Sequence, residues 1–178
     1  MTTPRFVFAL ATVLLAACDA KVGKSDEGKD QDVDVRSPVG NLSVRTSIGE
    51  PDTGLAVYPG AVLLRDDQDD GDSADVDISS PFFNLRVVAA EFSSEADPQK
   101  LVEFYRNELQ RYGEVTECRG NIDFEGGEGL KKPVCKGRDT TEVQLVTGRE
   151  ENHRLVVVKP RGTGSEFAMV YIDARERA

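Results

Sequence analysis

Histidine is almost missing from this chain: His153 is the only one among 178 residues. A hydrolytic triad needs a base beside its nucleophile, usually a histidine. Only one position is therefore open to that role, and it lies in an expected turn leading into a strand. No G-x-S-x-G elbow accompanies it, and a surface histidine is the expected role. Zinc centres need clustered cysteine and histidine, which this chain lacks. Phosphate-cradling loops need a longer pattern than Gly126-Gly127-Glu128-Gly129 or Gly162-Thr163-Gly164 supplies. Positive charge is also short. Lys and Arg number 22 against 32 Asp and Glu, a net charge of −10. A nucleic-acid partner demands a basic face, so nucleic acid is excluded.

What the chain does carry begins at its N-terminus. Arg5 precedes an uncharged stretch, Phe6 to Ala17 (FVFALATVLLAA). At about twelve residues it has the length of a signal h-region and falls short of the roughly 20 that span a bilayer. It ends in Leu15-Ala16-Ala17-Cys18 and turns polar at once. This resembles the lipobox of bacterial lipoproteins; the alternative is an ordinary secretory signal followed by a chance cysteine. The resemblance implies removal of residues 1–17, a thioether lipid on Cys18, and a membrane as partner through that lipid. Loss of Arg5 with the leader takes the net charge from −10 to −11. Asp19 follows the cysteine, which in enteric-type lipoproteins goes with retention at the inner membrane. That rule varies between bacteria, and the choice between inner and outer membrane stays open. Residues 18–31 read as the lipidated cysteine and a disordered tether, because 19–31 (DAKVGKSDEGKDQ) is charged and nearly free of apolar content.

Two cysteines remain. Cys118 and Cys135 form an even pair suited to an oxidising compartment, flanking a glycine-rich excursion. A disulfide is expected; the rival is a reactive or metal-binding thiol pair, for which no third soft ligand lies near.

Residues 32–178 are enough for a single domain with its own core. They open on an internal repeat. Residues 32–45 (DVDVRSPVGNLSVR) and 75–88 (DVDISSPFFNLRVV) align without a gap, both alternating polar and apolar residues around a Ser-Pro turn. Each predicts a β-hairpin, and the two are candidates to share one sheet. Leu55 to Leu64 (LAVYPGAVLL) is broken by Pro59-Gly60 into two short strands or a strand and a bend. Residues 83–92 continue the second hairpin as a long strand.

Asp97, Pro98 and Gly113 supply cap, first position and stop for a helix over about 98–112. Leu101, Val102, Phe104, Tyr105, Leu109 and Tyr112 form its apolar face. Strands are expected near 114–118, 133–136, 141–147, 154–159 and 166–173. Their inward set is Val143, Leu145, Leu155, Val157, Phe167, Met169 and Tyr171, although the run Leu155–Val158 also fits burial on both faces. The sum is α+β: a mostly antiparallel sheet with one packed amphipathic helix and two similar hairpins. The Tyr58-Pro59-Gly60-Ala61 turn, the helix reading P-x-K-L-V-x-F-Y-R, and the closing F-A-M-V-Y strand resemble small α+β domains of uncharacterised exported bacterial proteins. Those motifs imply a fold and no activity.

One segment points to chemistry. Residues 66–72 (DDQDDGD) hold five aspartates, the hard oxygen donors that calcium prefers. Asp66, Asp70, Asp72 and Asp77 are the candidate ligands, in a pattern that partly resembles an EF-hand loop. It departs from that pattern at Gln68, Ser73 and Asp77, and strands are expected to flank it; a solvated acidic loop is the other reading. The leading expectation is a lipid-anchored, non-catalytic interaction or structural module of the cell envelope with an envelope protein as partner. The alternatives are a calcium-responsive module using 66–77 and a carboxylate-dependent envelope hydrolase, which needs two convergent carboxyls in a cleft.

Overall fold

Alternation of apolar and polar residues dominates the chain, and the computed structural model turns it into strands. The structure describes residues 19–24, 31–46, 52–64, 73–127, 131–137 and 140–176. In chain order the elements are β1 Asp19–Lys24, β2 Gln31–Ser37, β3 Gly40–Thr46, β4 Val62–Leu63, β5 Ser73–Ser79, β6 Phe83–Ser94, α1 Pro98–Gln110, β7 Val115–Cys118, β8 Asn121–Glu125, β9 Lys132–Lys136, β10 Val143–Arg149, β11 Asn152–Arg161 and β12 Gly164–Glu176. Ten of the strands form one antiparallel sheet in the order β1-β2-β3-β5-β6-β12-β11-β10-β7, with β4 paired to β6. The two hairpins of the repeat, β2–β3 and β5–β6, lie side by side through the β3–β5 pairing.

The helix follows its local signals. The Asp97 carboxylate accepts the Gln99 amide at 2.8 Å, which satisfies one of the first-turn donors, and proline stands at the first position. Leu101, Val102, Tyr105 and Leu109 are fully buried. They meet Val143, Leu145, Val156, Val158, Phe167, Met169, Ala90 and Phe92 on the sheet. The Tyr105 hydroxyl accepts the Tyr58 amide at 3.1 Å, fastening the Tyr58–Ala61 turn to the helix. That turn closes with Ala61 N donating to Tyr58 O at 3.0 Å, and Gly60, at φ +79°, occupies the position that favours glycine.

Arg154 seats the same segment further along. Its guanidinium lies 3.8 Å from the centroid of the Tyr112 ring and 4.5 Å from that of Tyr171. Its Nε donates to Thr53 O at 2.9 Å. Stacking between two rings while paired to a carbonyl is a favourable use of a planar cation.

Three expectations are corrected. Residues 19–24, expected in a disordered tether, form the edge strand β1, pairing with β2 from Asp19 opposite Arg36 to Lys24 opposite Gln31. Ala20 and Val22 fall level with Val35 and Val33, so the short alternation in D-A-K-V continues the pattern of the sheet. Within β11, Val156 and Val158 face the helix, whereas Leu155 and Val157 lie half-buried on the other face. A run of four apolar residues carries no phase. Register opposite Met169 and Leu145 supplies it. Finally, the glycine-rich excursion contains β8, which pairs with β9 as a separate two-stranded sheet.

That small sheet is stapled to the large one. Cys118 and Cys135 form a disulfide with Cα atoms 5.2 Å apart. Thr116 Oγ1 donates to Pro133 O at 3.4 Å, and Phe124 packs on His153 with ring centroids 4.8 Å apart. The 17-residue separation implies a contribution of about 3 kcal/mol from closing the loop. Reduction, or Cys118→Ser with Cys135→Ser, should lower unfolding free energy by about that amount in urea titrations. Unchanged midpoints, or free thiols in the purified unreduced protein, would contradict the pairing.

Candidate functional site

Register organises the polar groups as it does the core. On the face that carries the helix, the half of the sheet beyond it is charged. One cross-strand row reads Asp34, Ser43, Asp77, Arg86, Asp173 and Asn152. The row on its outer side reads Arg36, Asn41, Ser79, Asn84 and Arg175. The opposite face is apolar over the same strands: Val33, Val44, Val76, Val87 and Ile172 lie level with one another, each half-buried.

A hollow of about 310 Å³ sits where the two polar rows meet, lined by Asp77, Ser79, Asn84, Arg86, Asp173 and Arg175. Arg86 is held on one side. Its Nε and Nη2 donate to the two Asp75 oxygens at 3.3 and 3.0 Å, and Nη2 also reaches Asp52 at 3.4 Å. Hydrogen bonding to Asp75 drives the guanidinium pKa above its ordinary value. Partial burial works against the charge of Asp173, but hydrogen bonds led by that from Arg175 outweigh it and hold the carboxyl below its usual range. The Arg175 bonds measure 2.9 and 2.6 Å. Asn84 Oδ1 is buried without a hydrogen-bond partner among the described residues. The hollow thus offers fixed cations, fixed carboxylates and one open acceptor. These are features of a polar recognition surface.

The sequence candidates fall elsewhere. Cys18 lies outside the described residues, as do Asp66, Asp70 and Asp72. Asp77 stands within strand β5 opposite Arg86 and Ser43, rather than at the end of a loop. No cluster of three or more His, Cys, Asp or Glu able to hold a metal occurs among the described residues. Cys118 and Cys135 are joined, which removes both as nucleophiles. His153 is half-buried; its Nδ1 lies 3.1 Å from both Arg149 O and Glu150 O, so that nitrogen carries the proton and donates.

Sequence reasoning missed the hollow because its members come from β5, β6 and the end of β12, far apart in the chain. The signal was present in the repeat, which sets Asn41 against Asn84 and Asp34 against Asp77. Reading those polar positions as one face would have joined them. No family model, curated protein or solved structure matches this chain.

Burial lowers the His153 pKa. The unfolded histidine binds a proton below about 6.5 while the folded one resists it, so the unfolded state binds more protons in that window. Stability should therefore be lost as pH falls through 6.5 toward the folded value. Melts at about pH 7.5 and about pH 5 should show His153→Asn losing less than the native chain; equal losses would refute the assignment.

Proposed function

We propose that the chain is a bacterial cell-envelope lipoprotein, held to a membrane by lipid on Cys18, whose domain is a non-catalytic interaction module. The observation that carries the reading is Leu15-Ala16-Ala17-Cys18 at the end of an uncharged stretch of signal length, with polar sequence directly after it. The Cys118–Cys135 disulfide supports it, because such bonds persist in oxidising compartments outside the cytoplasm. The charged hollow supports the module half of the reading. Its Arg86 and Asp173 are pinned by neighbours in a way that suits shape and charge recognition by a partner protein.

Expression of the native chain and Cys18→Ala in a lipoprotein-processing bacterium tests this. The native chain should lose residues 1–17, gain acyl mass on Cys18 and fractionate with membranes. Cys18→Ala should keep its leader and carry no acyl mass. A native chain recovered from the cytoplasm with an unmodified N-terminus would refute the reading.

A further inference from the structure

Both tips of the repeat are built by the same device. In the first, Ser37 Oγ accepts the Val39 amide at 3.3 Å and donates to Gly40 O at 2.9 Å. In the second, Ser80 Oγ accepts the Phe82 and Phe83 amides at 3.2 and 2.9 Å and donates to Phe83 O at 3.1 Å. Serine and proline thereby present the next residue outward. The tips abut: a Cβ on Gly40, at φ +152°, would stand 2.7 Å from Ser79 O. The outcome is a cluster of exposed apolar side chains, with Phe82 at 76%, Val39 at 74% and Phe83 at 43% exposure. Single exposed apolar residues are ordinary, but grouped aromatic and aliphatic tips mark a surface that meets something apolar.

Register says what lies beside them. Asp19 pairs with Arg36, Arg36 with Asn41, Asn41 with Ser79, Ser79 with Asn84, and Asn84 with Arg175. These six residues form one level row across the sheet. The tips project beyond that row, whose first member, Asp19, opens strand β1 and is preceded in the sequence by Cys18. One peptide step is about 3.8 Å, and the four strand spacings from β1 to β6 sum to about 19 Å. A lipid on Cys18 thus brings the bilayer to the same end of the sheet as Val39 and Phe82, and at the same height.

We propose that this end of the sheet is a lipid-binding surface, with Val39, Phe82 and Phe83 seated in the headgroup layer of the membrane that carries Cys18. The inference rests on the lipoprotein reading and goes further: the domain stands on the bilayer instead of being held away from it. Arg36 and Arg175, both exposed on the level row, come to the height of the lipid phosphates. Apolar tips backed by cations are the chemistry of an interfacial anchor. A protein partner at the apolar tips themselves is disfavoured by the anchor, because the lipidated residue would immediately precede strand β1.

The chain contains no tryptophan, so one can be introduced as a reporter. Phe82→Trp places it at a tip. Val62→Trp places it at an equally open site, since Val62 is 65% exposed and pairs with Ser93. Ser93 is ten residues along β6 from Phe83, about 33 Å away. Both variants, processed to begin at lipidated Cys18, are reconstituted into phosphatidylcholine vesicles with brominated acyl chains. Phe82→Trp should show blue-shifted emission quenched by bromine, while Val62→Trp should match its emission in detergent-free buffer. Acylated, vesicle-bound protein in which neither variant is quenched would overturn the inference and leave the lipoprotein reading standing. A Phe82→Trp blue shift that needs no vesicles and grows with protein concentration would assign the tips to a second copy and overturn it too. Protein without acyl mass that fails to join membranes would remove both readings.

Discussion

The backbone ladder from β1 to β7 is the constraint on which the remaining structure depends. Antiparallel pairing fixes which residues stand level, and the two-residue period then fixes which face each one takes. A slip of one residue in β5 would exchange Val76 and Ile78 for Asp75 and Asp77 on the apolar face, with Arg86 losing its bidentate partner. The core, the charged hollow and the shared height of the tips are consequences of that single register. Hydrophobic burial under α1 locks one half of the sheet. In the other half, the repeat places Val33, Val44, Val76 and Val87 in one continuous row.

Local chemistry made part of this legible in the sequence. The helix announced itself because Asp97, Pro98 and Gly113 act within a few residues of where they stand. The cysteine pair was legible by count and spacing. The hairpins showed because each repeats the same alternation around Ser-Pro. What escaped was decided by distant partners. D-A-K-V at 19–22 looks like polar tether until an edge strand is available to pair with it. Leu155–Val158 is apolar throughout, so only its neighbours assign Val156 and Val158 to the helix side. Asn121–Glu125 lies in the glycine-rich excursion, where no strand was expected, yet its pairing with Lys132–Lys136 and the disulfide make it a hairpin.

The same split governs the functional residues. The proposal for Cys18 rests on sequence alone, because Leu15-Ala16-Ala17-Cys18 is a contiguous pattern. The hollow of Asp77, Asn84, Arg86, Asp173 and Arg175 exists only after β12 returns beside β6. Val39 and Phe82 were visible as repeat positions, but their exposure became visible only with the serine-closed tips. Strand β1 connects these observations. Under the proposed lipidation of Cys18, a tether would separate the anchor from the fold, whereas an edge strand starting at Asp19 ties the orientation of the domain to the position of the lipid.

Hydrogen exchange across residues 19–24 therefore tests the account most directly. Alternate amides between Asp19 and Lys24 should exchange slowly, as an edge strand bonded on one side requires, with protection approaching that of β2. Exchange of every one of those amides at the rate of an unstructured peptide would detach β1 from the sheet and contradict the account.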